Sequence, residues 1–266
     1  LVGTATAILV GLVEGDDVTL NDDFAVGVFA DANAGTNKTV TVSGLTLEGI
    51  DANDYSFTQP TPTAKITPKE LTVEGIRARG KEYDGATKAR LAGTATAILV
   101  GLVEGDDVTL NDDFAVGVFA DANAGPNKKV TVSGLTLEGD AADNYSLTRP
   151  LLTAKIVTEE LTVKGILARR KEYDGATEAT LAGTATAILV GLVEGDDVTL
   201  NDDFAVGVFA DANAGPNKKV TVSGLTLEGI DADNYSLIQL TPTAKITPKE
   251  LTVEGIRASG KEYDGA

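Results

Sequence analysis

The stretch VTVSGLTLEG, residues 40–49, decides the reading of the fold. Val40, Val42, Leu45 and Leu47 alternate with Thr41, Ser43 and Thr46 around Gly44. Successive side chains of a strand point to opposite faces, so this run places its aliphatic residues on one face and its hydroxyls on the other. That is the pattern of a strand half buried in a two-layer β structure. Working outward, Leu71-Thr72-Val73 repeats the alternation, and turn formers punctuate the chain at Gly11, Gly15, Asn21, Gly27, Gly35, Gly44, Gly49, Pro60, Pro62 and Pro68. The spacing predicts about seven short strands before the pattern starts again.

It does start again. Gly3, Gly93 and Gly183 open the same long segment, which sets a period of 90 residues, and residues 91–139 are identical to residues 181–229. Such identity marks recent duplication, so agreement between copies says nothing about which residues act. The expected fold is all-β, a tandem array of immunoglobulin-like β-sandwich repeats of 90 residues. A local pattern sharpens this expectation. DANDYSF at residues 51–57, DAADNYSL from Asp140 and DADNYSL from Asp231 have the spacing of a tyrosine corner, with Phe57, Leu147 and Leu237 where an antibody domain carries its second Cys. Tyr55, Tyr145 and Tyr235 are therefore expected to open the penultimate strand, each hydroxyl bonding back to the backbone.

Composition narrows the chemistry. The chain has no Cys, His, Met or Trp, which removes disulfides, thiol nucleophiles and the commonest general base and transition-metal ligand. No Gly-rich phosphate loop or nucleophile elbow organises the remaining carboxylates, Lys, Tyr, Ser and Thr, so an enzyme is not expected. With 22 Lys and Arg against 40 Asp and Glu, the net charge of −18 disfavours nucleic acid and anionic lipid as partners and favours divalent cations. No apolar run approaches the length of a membrane span and no signal peptide is present. The stretch reads as part of a longer secreted protein whose targeting and anchoring segments lie elsewhere.

Pro68 cannot donate to a ladder and predicts the break between one repeat and the next. Boundaries near Pro68, Thr158 and Pro248 give two complete repeats, 68–157 and 158–247, a front repeat 1–67 lacking its first strands, and a first-strand segment 248–266. Almost no linker separates them, which predicts a fairly stiff rod. A sandwich without its first strand leaves an apolar groove and unpaired backbone, which invites strand addition. Residues 248–266 carry the missing piece, with Leu251, Val253, Ile256 and Tyr263 as donor-strand residues. The expectation is a head-to-tail homopolymer in which this segment completes residues 1–67 of another chain. The plainer alternative, ends that are cut boundaries and pack adventitiously, stays open beside it.

Taken together, KEYDGAT, VEGDDVTL, FADANAG, NKKVTVSGLTLEG, DNYSL and TAKITPKELTV resemble, in order and spacing across the whole chain, the YDG repeat domain of large bacterial surface adhesins and haemagglutinin-like proteins. The resemblance implies a secreted, tandemly repeated extracellular protein of the stalk or biofilm-matrix kind, able to meet other matrix components, with no ligand implied for the repeats. The alternative function is a passive extender that holds an adhesive head lying outside this stretch.

The acidic load departs from a simple array and raises calcium as the expected cofactor. Calcium takes six to eight oxygens from several carboxylates and carbonyls. EGDDVTLNDD supplies Glu14, Asp16, Asp17, Asp22 and Asp23; FADANAG supplies Asp31 and Asn33; the tyrosine turn adds Asp51 and Asp54, and the YDG turn adds Glu82 and Asp84. The later repeats carry Asp106, Asp107, Asp112, Asp113, Asp121 and Asp174, then Asp196, Asp197, Asp202, Asp203, Asp211 and, with Glu262, Asp264. No EF-hand or nonapeptide spacing is present, so the other reading of each acid is a solvated turn residue.

Overall fold

A computed structural model of the chain describes residues 7–265. The architecture is all-β, with short 3₁₀ turns and no α-helix among the described residues. None of those turns is long and apolar enough to cross a membrane. The chain divides into two compact units, one made of Leu1–Ala78, Arg90–Val118 and Thr131–Leu152, the other of Arg79–Ala89, Phe119–Val130 and Thr153–Ala266.

In the first unit, residues 40–49 behave as their alternation predicts. Val40, Val42 and Leu45 are buried while Thr41 and Thr46 are exposed. The run nevertheless belongs to two sheets. Its first half ends the strand Gly35–Ser43, which lies between Val26–Phe29 and Thr63–Ile66. Its second half is Thr46–Glu48, paired antiparallel with Thr19–Asn21. Gly44 makes the corner at φ +81, and a Cβ there would lie 2.0 Å from the Phe24 carbonyl oxygen. Only glycine fits so close a backbone approach at a left-handed φ.

The same unit contains a three-stranded sheet of Ile98–Val100, Lys69–Glu74 and Tyr145–Thr148, with Lys69–Glu74 in the centre. It runs antiparallel to the first, setting Val73 opposite Leu99, and parallel to the second, setting Leu71 opposite Leu147. Leu71 and Val73 alternate with Glu70, Thr72 and Glu74, so one face is apolar. That face packs on a core of Val73, Ile76, Val132 and Leu135, with Leu99, Leu110, Leu147 and Leu152 around it, and Leu71 forms a second cluster with Val108 and Tyr145.

In the second unit, Glu159–Lys164 is likewise central between Ile188–Val190 and Tyr235–Leu237, and again parallel to the latter. A five-stranded sheet runs Lys171–Glu172, Thr243–Thr247, Gly215–Ser223, Val206–Phe209, Glu178–Ala179. Its core is Ala179, Phe209, Val220 and Ile246. Register shifts between Gly215 and Lys218, where Asn217 sits at φ 51, as a bulge requires.

Strands break between Ile66 and Lys69 and between Val157 and Glu159, at the Pro68 and Thr158 positions. The strands from Lys69–Glu74 to Leu151–Val157 number eleven, more and shorter than the seven expected. Bulges and corners cut what the alternation reads as continuous runs.

Candidate assembly site

Two segments of the front repeat differ from their counterparts in the later repeats. Tyr145–Thr148 and Tyr235–Leu237 are strands, whereas residues 55–58 are not. Ile98–Val100 and Ile188–Val190 are strands, whereas residues 8–10 are not. Val10 is 89% exposed against 40% for Val100. A Cβ on Gly101 would lie 3.2 Å from the Glu70 carbonyl oxygen, but one on Gly11 meets nothing within 4 Å.

At the other end, residues 248–265 form no strand and are exposed. Leu251, Val253 and Ile256 stand two periods after Leu71, Val73 and Ile76. Leu71 is 0% exposed and Leu251 is 84% exposed. Burying a Leu contributes about 1.5 to 3 kcal/mol, so each exposed aliphatic side chain here forgoes that amount.

A 3₁₀ turn, Ala142–Asn144 or Ala232–Asn234, delivers the buried Tyr145 or Tyr235. The phenol bonds back to backbone, and to an aspartate as well, far upstream in sequence. Tyr145 accepts from the Val103 N–H at 3.1 Å and donates to Asp106; Tyr235 accepts from the Val193 N–H at 3.0 Å and donates to Asp196 Oδ2 at 2.6 Å. Tyr55 does the same with Val13 and Asp16. The partners lie 42 and 39 residues upstream, so sequence proximity could not reveal them. Burial, reinforced by the Asp196 hydrogen bond, pushes the Tyr235 phenol up to about 12.

Two contacts join consecutive repeats. The Asn144 side-chain Oδ1 accepts from the Ala34 N–H at 2.8 Å while its Nδ2 donates to Asn33 Oδ1 at 3.2 Å. Asn234 repeats this on Ala124 and Asn123, at 2.8 and 3.5 Å. An amide is needed, because it offers both an acceptor and a donor. The second contact is the YDG turn. Tyr83 donates to Asp196 Oδ2 at 2.8 Å, its ring meets Tyr235 edge-on at 5.3 Å, and Gly85 lies against Val193. Neither Asn144 and Asn234 nor Tyr83 was singled out from sequence. The signals available were the recurring Asn before the corner Tyr and the thrice-written YDG.

The expected metal ligands are dispersed among other tasks. Asp16, Asp106 and Asp196 receive the corner phenols. Asp31, Asp121 and Asp211 pair with Lys38, Lys128 and Lys218 and take the N–H of Asn33, Asn123 and Asn213. Asp84, Asp174 and Asp264 pair with Lys81, Lys171 and Lys261. Asp17 and Asp197 give their N–H to Asp51 and Asp231, and the Asp107 carbonyl takes the Ala141 N–H. The carbonyls of Asp22, Asp112 and Asp202 receive the N–H of Ala25, Ala115 and Ala205. The N–H of Asp23, Asp113 and Asp203 donates to Asn21, Asn111 and Asn201. Among the described residues no group of three or more carboxylates is placed to hold a metal ion. The Lys38 hydrogen bond holds the Asp31 carboxyl below its usual range, and Lys171 and Lys218 do the same for Asp174 and Asp211.

A family profile for the YDG domain matches three segments, residues 1–64, 67–152 and 153–244. No curated protein matches the chain.

Proposed function

Since the chain belongs to the YDG domain family, we propose that it is a structural extracellular repeat protein, of the kind that builds a bacterial biofilm matrix or adhesin, and that it assembles head to tail by strand exchange. Residues 248–266 of one copy enter the front repeat of another and pair with residues 8–10 on one side and 55–58 on the other. The observation that carries this reading is the contrast between Leu71, sealed between two strands, and Leu251, exposed beside no strand. Each 90-residue repeat is taken as an immunoglobulin-like sandwich modified by a central parallel strand. The clustering of Val73 and Leu147 from the three-stranded sheet with Val132 and Leu152 supports two packed layers.

Strand exchange of this type is heterologous and does not close, so it yields fibres. The proposal includes no metal. A second reading, a passive stalk, is favoured by the Asn and Tyr contacts that already tie consecutive repeats within one chain.

Electron microscopy and light scattering of the 266-residue chain separate the two. Strand exchange predicts concentration-dependent filaments that Leu251→Asp abolishes without altering the circular dichroism of the monomer. A monodisperse monomer at every concentration sinks the exchange reading and leaves the stalk.

A further inference from the structure

The five-stranded sheet of the second unit has an inner face that makes the core of Ala179, Phe209, Val220 and Ile246, and an outer face open to solvent. Along its strand Val206–Phe209, Gly207 and Phe209 are buried while Val206 and Val208 point outward, 49% and 41% exposed. Phe204, in the turn that leads into this strand, is 76% exposed. Two strands flank the aliphatic stripe, and each puts a charge beside it. Glu178 stands opposite Val208 on one side, and Thr221 stands opposite Val208 on the other. Lys219 is the next outward residue after Thr221, level with Ala210, whose N–H donates to the Lys219 carbonyl at 2.9 Å. The ion pairs of this repeat join Lys171 to Asp174 and Lys218 to Asp211, so neither uses Glu178 or Lys219. The exposure belongs to the repeat itself: Phe114, Val116 and Val118, one period earlier with a repeat on either side, are equally exposed.

We infer that this outer face docks on the same face of a second copy of the chain, about a two-fold axis that runs along Val206–Phe209. The contact is isologous, each copy offering the same patch. Sheets packed face to face lie about 10 Å apart with their strands nearly aligned. A two-fold along the strand sets Val206 and Val208 on their own counterparts. It also carries Glu178 across the stripe, over Thr221 of the second copy and one outward position from its Lys219. Both flanking strands lie about 4.8 Å from the axis, so the two rows meet in register. Symmetry makes two such Glu–Lys pairs. A two-fold running across the strands would keep both glutamates on one side and both lysines on the other, so charge selects the first arrangement.

Differences between repeats decide which face pairs. Lys88 and Lys129 stand one period before Glu178 and Lys219, so the corresponding face of the second repeat carries lysine on both flanks and repels its own copy. A net charge of −18 holds copies apart at long range, and the paired flanks with their aliphatic centre supply the local attraction that overcomes it. The contact is lateral and does not rest on strand exchange.

Sedimentation of the full chain carrying Leu251→Asp, a change that blocks head-to-tail exchange, isolates the lateral contact. It should show a concentration-dependent dimer, weakened by salt, that Val208→Asp abolishes with unchanged circular dichroism. Glu178→Lys and Lys219→Glu should each raise the dimer dissociation constant about tenfold, because two attractive pairs become repulsive. The two changes together should return it to within about threefold of the parent, since the pairs are restored with their signs exchanged. The single changes move net charge in opposite directions, so a shared weakening is not a net-charge effect. A monomer at every concentration, single variants that dimerise normally, or a double variant no tighter than the singles overturns the docking face. None of these outcomes touches strand exchange, which fails instead if the wild-type chain forms no filaments.

Discussion

Tyr83 and Asp196, separated by 113 residues, share a hydrogen bond of 2.8 Å in which the YDG turn of one repeat grips the corner loop of the next. The bond links the family's most recognisable tripeptide to a loop that composition alone suggests is a cation site. Tyr83→Phe should leave each repeat folded, because the ring contact with Tyr235 is kept. It should instead speed hydrogen exchange at the Val193 and Asp196 amides about tenfold, roughly the value of one hydrogen bond to a charged group. Unchanged protection would place the joint elsewhere.

The asparagine clamp gives a second measurement. Asn144→Asp keeps an acceptor for the Ala34 N–H but loses the donor to Asn33 Oδ1. Asn144→Ala loses both. The expected order of Ala34 amide protection is wild type, then Asp, then Ala, with the Ala variant costing about 1 to 3 kcal/mol for a buried amide left without its partner. Asp54 already occupies this position in the front repeat, so Asp54→Asn should tighten any junction that repeat makes with another copy.

Leu71→Ala and Leu251→Ala are the same substitution at the same place in the repeat. The first should lower the unfolding free energy by about 2 to 5 kcal/mol, as truncation of a fully buried Leu does, and the second by almost nothing in a dilute monomer. In assembled material their effects should converge. Denaturation of dilute and concentrated samples checks both halves.

The pH response follows from the corner phenols. The folded phenol of Tyr235 titrates at about 12, above its unfolded value near 10, so its contribution is fully present below pH ~10 and is lost as pH rises toward 12. Asp31, Asp174 and Asp211 titrate below their ordinary range, so theirs is present above pH ~4 and fades only as pH falls further. Thermal unfolding should therefore be flat from about pH 5 to 9 and drop steeply in alkali, together with a late-titrating tyrosine absorbance. A single phenolic transition near pH 10 would contradict it.

Calcium gives a fifth check. With the carboxylates of Asp16, Asp31 and Asp84 and their counterparts engaged by phenols and lysines, millimolar calcium and excess chelator should give the same melting temperature and the same filament yield. A calcium-dependent rise in melting temperature would require ligands that converge only in the assembled state.

Much of this protein is written locally. Alternation in VTVSGLTLEG specifies which side chains face inward because the strand period is two, and that holds wherever the strand is placed. The 90-residue period and the strand breaks at Pro68 and Thr158 are equally local, since a proline or a turn acts within a few residues. The interior position of Lys69–Glu74 was not legible. An edge strand and a central one share the same apolar alternation, and only pairing with Ile98–Val100 and Tyr145–Thr148 tells them apart. Nor does the sequence decide how the acids are used. Charge density along a chain says how many carboxylates are near one another in sequence, whereas a metal site depends on how many converge in space. The tertiary structure alone decides that Asp196 meets two phenols, one 39 and one 113 residues away, because such contacts are set by how repeats pack rather than by any spacing within them.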